Sequence, residues 1–350
     1  MDAGFLSMDR TVFGQILDSI VVPQGLSDDE VNKAVFPISK ASFQMMPPRL
    51  FRYRLSGEKQ IDAFEKDIIY TVTADKYNDP YDTLAKCDID DVKRYLREVF
   101  SVNTLLSLKD FLIKGNDFPD VVKKSNPNVD WARIRSEFLV FDDIDKLKDR
   151  IETTMSQVDS QMNLFMPILA EFSKRFSAFA CFSESMESML MWSHYADSHQ
   201  GFALEYDFRP TLAQPLKGVL VLPVIYSEER FNASTFMLWA FMTFAGVHLP
   251  NPDLTAHLKI ALHKSLDWAY EKEWRMIEAS PRNPFDTSLG TVQYKPVAIY
   301  YGHKMTLEMK HQLHQVALSK DLREYEMYID YYSPRYEMKY RTYSETGISG

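Results

Sequence analysis

Two stretches of the 350-residue chain carry residue types that could do chemistry. The first, CFSESMESMLMWSHYADSHQGFALEYDF, runs from Cys181 to Phe208 and sets Ser183, Trp192, His194, Tyr195 and His199 among apolar residues. The second, YEKEWR, runs from Tyr270 to Arg275. Read as a strand, it projects Glu271, Glu273 and Arg275 to one side and Tyr270, Lys272 and Trp274 to the other, because side chains alternate across a strand. Two carboxylates that close raise each other's proton affinity, and the guanidinium opposes the rise. A site could use one of these glutamates to hold a sugar hydroxyl or to stabilise a cationic transition state. The alternative is a solvated strand face with a row of ion pairs.

Read as a helix, MLMWSHYADS puts Met191, Tyr195 and Ser198 on one stripe and His194 beside Asp197 on another. It is either a core helix with a polar end or a cleft wall presenting Trp192, His194 and Tyr195. His194 and His199 are five positions apart, whereas a helical zinc pair needs four to share a face, and HEXXH is absent. No metal is expected. FRYRL places Arg52 and Arg54 on one strand face, with Phe51, Tyr53 and Leu55 on the other. That suits an anion or phosphate clamp, or an edge strand kept soluble by charge. In KYNDPYD, Asn78 and Asp79 before Pro80 favour a turn through side-chain bonds to the backbone. Walker A, GxGxxG and GxSxG patterns are missing, which weighs against P-loop NTPases, Rossmann dehydrogenases and α/β-hydrolases.

The elements that must position these residues read as follows. Ser27 is an N-cap with acids after it, so a helix starts there. Pro47–Leu55 and DIIYTVT, which includes Tyr70, read as strands. Residues from about 88 to 175 have helical apolar spacing and few strand signals. Gly201 ends the helix at MLMWSHYADS or makes the turn, and GFALEYDF alternates as a strand. VLVLPVIYSE, WAYEKEWRMIEA, PVAIYYG and YEMKYRTY read as further strands. Helices are expected over Phe236–Leu249, over about Pro252–Trp268, and at MTLEMKHQLHQVALSK with Thr306 as its N-cap. The fold class expected is α+β: a mixed, partly split β-sheet with flanking helices. A helical adaptor over 1–44 precedes a single domain over 45–345, with a helical insertion at about 85–175.

Composition is ordinary for a globular protein, 45% hydrophobic and 25% charged. A net charge of -9 does not favour nucleic acid or anionic membrane, where Lys and Arg supply the contacts. Cys87 and Cys181 stand alone, so a disulfide framework is not expected and a reducing, cytoplasmic setting fits. The start lacks a signal-peptide pattern, and Phe236–Leu249 is too short to span a bilayer.

In this order, FRYRL, YNDPYD, CFSES with MLMWSHYADSHQGFALEYD, WAYEKEWR and VAIYYGHKMT resemble the DUF2971 family of bacteria and phages. The resemblance spans roughly Arg49 to the last strand. It implies a cytoplasmic enzyme working in bacterial or phage conflict or defence. The motif order is also similar to that of ADP-ribosyltransferase-like folds. That likeness implies NAD as the cofactor or substrate, with a small-molecule nucleotide or a macromolecular acceptor as partner. Carried over, Tyr53 or Arg54 anchors the nucleotide, Ser183 and Tyr195 line its pocket, and Glu273 is the late acid, with Glu271 two before it. Arg52, Tyr70, Asn78, Asp79, Trp192 and Arg275 complete the binding candidates. The alternatives are a nucleotide- or nucleic-acid-processing enzyme pairing His194 with Glu271 or Glu273, and a non-catalytic binding module.

Overall fold

The computed structural model describes residues 8–344 except 100, 119, 126, 141–142, 245–250 and 284. The chain opens with α1 (Arg10–Ser19), α2 (Asp28–Met45), β1 (Leu50–Arg54), α3 (Glu58–Glu65) and β2 (Ile68–Thr73). The helices α4 (Ile89–Val99), α5 (Val102–Ile113), α6 (Asp120–Ser125), α7 (Trp131–Leu139) and α8 (Ile144–Ser173) follow. Next come β3 (Ala178–Ser183), α9 (Met189–Tyr195), β4 (Phe202–Tyr206), β5 (Val219–Pro223), β6 (Ile225–Ser227), α10 (Ser234–Phe244) and α11 (Ala256–Leu262). The chain ends with β7 (His263–Ser265), β8 (Glu273–Glu278), β9 (Gly290–Gln293), β10 (Ala298–Tyr301), α12 (Leu307–Ser319), β11 (Arg323–Ile329) and β12 (Met338–Thr342).

The fold is α+β, as expected. The main sheet runs β12-β11-β10-β4-β1-β3-β2-β9, with β8 pairing β3 and β5 pairing β8. It is mixed but largely antiparallel, β10 and β11 being a parallel pair. A small parallel sheet joins β6 and β7. The split lies beside β3. β1 pairs with β4 along its whole length, from Leu50↔Tyr206 to Arg54↔Phe202, yet meets β3 only at Phe51↔Ser183. β2 takes the other end of that β3 edge, at Phe179 and Ala178. Between the two contacts the strands part.

Apolar side chains cover both faces of the sheet. Phe182, Phe202, Tyr206 and Tyr301 pack under α3 and α12, while Tyr53, Ala203 and Tyr300 pack with Met191 and Trp192 of α9. Phe13 and Leu17 of α1 and Ile38 of α2 join Phe179, Leu222 and Ile277 in a further cluster. Val92, Leu96, Met155 and Met166 of the long helical segment pack against Phe236 and Met237 of α10. The expected caps are present: Ser27 and Glu30 form a capping box, and Thr306 accepts from the Met309 amide.

Several local expectations change. The helix expected over Pro252–Trp268 is only α11, because His263 turns extended to pair β7 with β6, and a 3-10 turn occupies Leu266–Glu271. The strand expected from WAYEKEWRMIEA starts at Glu273. β1 is interior, with β4 on one side and β3 on the other, so FRYRL is not an edge strand. VLVLPVIYSE breaks into β5 and β6 around Val224, whose amide bonds the Glu273 carbonyl. The expected apolar helix is α10 up to Phe244; residues 245–249 of that stretch lie outside the described residues. Among the described residues, no helix is long and apolar enough to cross a membrane.

Candidate functional site

β8 pairs with β3 along one edge and with β5 along the other, and its Glu273 and Arg275 side chains are buried. YEKEWR is therefore not a solvated ion-pair face: Glu271, Glu273 and Arg275 are 3%, 2% and 0% exposed. Buried charges need partners, and here they form one chain. Arg275 donates through Nη1 to Asp82 Oδ1 at 2.9 Å, through Nη2 to Oδ2 at 2.7 Å, and through Nε to Glu273 Oε1 at 2.8 Å. Its guanidinium lies 4.1 Å from the centre of the Phe179 ring. Lys264 Nζ bridges the two carboxylates, 2.9 Å from Glu273 Oε2 and 2.6 Å from Glu271 Oε2. The Tyr195 hydroxyl donates to Glu271 Oε1. Ser183 Oγ donates to the Glu271 carbonyl at 2.6 Å, fixing the backbone beneath that side chain.

The two glutamates titrate in opposite directions. Burial pushes Glu273 up, but Arg275 and Lys264 more than reverse this and hold its carboxyl well below the usual carboxylate range. Burial and then the Glu273 charge push Glu271 above its ordinary value, against the pull of Lys264 and Tyr195. Burial also raises Asp82, with Arg275 opposing it. Burial alone would depress Lys264, yet the surrounding carboxylates raise it and keep it a cation.

Facing this wall is a cavity of about 140 Å³, opened where β1 leaves β3. Arg52, Tyr53 and Arg54 of β1 line it, with Tyr77 and Asn78 from the loop after β2. Tyr53 donates its hydroxyl to the Ser185 carbonyl at 2.6 Å, and its ring stands edge-on to Trp192 at 5.2 Å. Arg52 donates to the Tyr70 carbonyl at 3.0 Å and lies over the Phe182 ring. Arg54 makes no hydrogen bond or ion pair among the described residues. Burial and the neighbouring Arg52 charge bring it down to about 9.

Of the residues singled out in the sequence, Glu271, Glu273, Arg52, Tyr53, Arg54, Asn78, Ser183 and Tyr195 meet at this cavity. Arg275 lies behind Glu273. Trp192 supports the wall from the core, donating Nε1 to the Met186 carbonyl at 2.8 Å. Tyr70 contributes its carbonyl through Arg52. Asp79 lines a neighbouring cavity of about 320 Å³ that also touches Lys264. His194 is exposed, its ring beside Tyr195 at 6.2 Å and outside the cavity lining, so it does not pair with either glutamate. The α9 turn that carries Tyr195 inward faces His194, the preceding residue, outward.

Glu271 reaches the cluster by an unexpected route. It ends the 3-10 turn, and Lys272, at φ 46, reverses the chain before β8 begins. Sequence reasoning missed Lys264 and Asp82. Asp82 closes the KYNDPYD motif, in which the turn reading singles out only Asn78 and Asp79; Lys264 carries no motif signal. Among the described residues, no group of three or more His, Cys, Asp or Glu side chains is placed to hold a metal ion.

Fold and site together define an α+β protein with a charged, partly enclosed cavity cut into a split sheet. The model of the DUF2971 family, described as a protein of unknown function, matches residues 191–276. The resemblance read from the motifs thus holds over the segment from α9 to β8, which contains Tyr195, Lys264, Glu271 and Glu273. No curated protein and no solved structure matches the chain significantly.

Proposed function

We propose that the protein is an enzyme that uses Glu271 on a nucleotide-class small molecule, with NAD the first substrate to test. One observation carries this reading: the Glu271 carboxylate lines the cavity, oriented by Tyr195 and Lys264, with its hold on a proton raised. An oriented, desolvated carboxylate of that kind suits proton transfer or stabilisation of developing positive charge. The cluster also carries surplus negative charge. Asp82, Glu271 and Glu273 are three acids against the two cations Arg275 and Lys264, so one charge is unbalanced when all are ionised.

A cationic sugar matches that surplus. When nicotinamide leaves NAD, the carbon–nitrogen bond to ribose breaks and its electron pair departs with nicotinamide. Positive charge develops on the sugar. Water or another acceptor then adds to the anomeric carbon and yields its proton to Glu271. A cavity of about 140 Å³ is smaller than the roughly 300–1,000 Å³ of whole-ligand pockets, so one end of a dinucleotide would enter and the rest would lie at the mouth. A purely structural network would account for the pairing but has no use for the opening. Acid–base chemistry through His194 loses its geometric basis with that side chain outside.

The test is nicotinamide release from NAD by the purified protein, with cell extract as acceptor, beside Glu271→Gln. Release that falls ~10²–10³-fold in a variant that still folds is the expected result. A folded wild type that releases nothing, or a variant as active as wild type, would overturn the reading. Expression of the active protein should also slow bacterial growth if it serves in conflict, and Glu271→Gln should relieve that.

A further inference from the structure

We propose that Arg54, with Arg52 beside it, recognises a phosphate-type dianion on the ligand that enters this cavity. The proposal deepens the reading above by naming the group recognised at the wall opposite Glu271; binding of the anion needs no turnover.

Apart from Arg52, the other enclosed cations near the site have an acid. Arg275 has Asp82 and Glu273, Lys264 has Glu271 and Glu273, and Arg10 has Glu184 at 2.6 Å. Farther off, Lys259 has Asp253 at 2.7 Å. Arg54 departs from this pattern. It ends β1, held on one side by the Phe202 backbone of β4, and on the other side β3 has already parted from it. Its side chain is partly buried and lines the cavity, with no carboxylate partner among the described residues. The charges and dipoles acting on it are Arg52, a like charge, and the phenols of Tyr206 and Tyr77. The Tyr77 hydroxyl is already committed to the Phe179 carbonyl at 2.8 Å.

A desolvated guanidinium without a counter-charge destabilises the fold that holds it. Packing alone would be served better by Met or Gln. The arrangement makes sense if the counter-charge arrives with a ligand. Arg52 is held in place by a carbonyl and a ring, neither of which neutralises it, so the two guanidiniums together present two positive charges. A phosphate dianion, or two adjoining phosphates, supplies matching charge and offers oxygens to both planar forks. The surplus negative charge on the Glu271 wall repels an anion, so the phosphate enters at the Arg54 end and leaves the attached sugar towards Glu271.

The experiment follows thermal unfolding and calorimetric binding with inorganic phosphate and pyrophosphate at constant ionic strength, chloride being the control. Wild type should be stabilised by both phosphates more than by chloride. Arg54→Met should melt higher than wild type without phosphate, and should lose the response, with affinity at least ~10-fold weaker. Arg54→Lys should fall between them. No phosphate response in wild type, an undiminished response in Arg54→Met, or an Arg54→Met protein that melts lower without phosphate would each overturn the proposal. Glu271→Gln should bind phosphate at least as well as wild type, because it removes negative charge from the facing wall. A failed NAD assay therefore leaves the anion site standing, and a failed phosphate response leaves the Glu271 chemistry to its own test.

Discussion

Glu271 and Glu273 stand two positions apart in one motif and do different work. Glu273 is the more heavily bonded: Arg275 and Lys264 donate three hydrogen bonds to its oxygens, against one each from Lys264 and Tyr195 to Glu271, so less of it is left for a substrate. Glu273→Gln should therefore act mainly on stability, costing ~3 kcal/mol because Arg275 and Lys264 lose a buried partner. Urea unfolding would read this. The acid limb of the stability profile should change too. The folded carboxyl is depressed from an ordinary value of 4.5, so its contribution is complete above that value and is lost as pH falls below it. The variant should lack that part of the acid loss. The sequence displayed both carboxylates and their arginine because they lie within one short motif. It hid Asp82, which meets Arg275 across 193 positions, because such a pairing is set by the path of the fold and not by spacing. The resemblance pointed to Glu273 as the late acid; what separates the two is Arg275, which bonds Glu273 and leaves Glu271 facing the Glu273 charge.

At the scale of elements, the strands flanking the cavity are fixed by close approach. Gly201 was legible as the residue that ends the α9 stretch, but spacing could not show why it is glycine. A Cβ there would lie 2.1 Å from the Arg54 carbonyl and 2.9 Å from the Ala196 carbonyl carbon. Gly201→Ala must push β1 away from the turn before β4. A loss of ~1–3 kcal/mol is expected from such overpacking. The displacement would also shift Arg54, so phosphate binding should weaken alongside stability, measured on the same samples. The strand reading of WAYEKEWRMIEA failed for a local reason. Alternation is real from Glu273 onward, but Lys272 adopts a left-handed conformation that period counting cannot register. The strands with clean alternation and the helices with capping residues were readable. The division of VLVLPVIYSE was not, because the Val224 amide is claimed by the Glu273 carbonyl across the sheet.

Across the whole molecule, the site is tied to the start of the chain. Arg10 of α1 donates through Nη1 to the Val224 carbonyl at 2.6 Å and the Glu273 carbonyl at 2.7 Å, and through Nη2 to Glu184 at 2.6 Å. Glu184 also accepts from Trp274 Nε1 at 2.7 Å. Arg10→Ala should lower the unfolding midpoint and speed amide exchange in β8 more than in β11 and β12, which lie at the far end of the sheet. The fold class was legible because strand and helix signals alternate without a βαβ rhythm. The position of the split was not, since it depends on β1 and β2 sharing one edge of β3. That parting has a consequence for hydration. The cavity of about 140 Å³ opens to solvent, so a ligand seated between the strands must displace water from it. Its affinity should therefore vary with water activity, and an inert osmolyte kept out of the cleft should tighten binding.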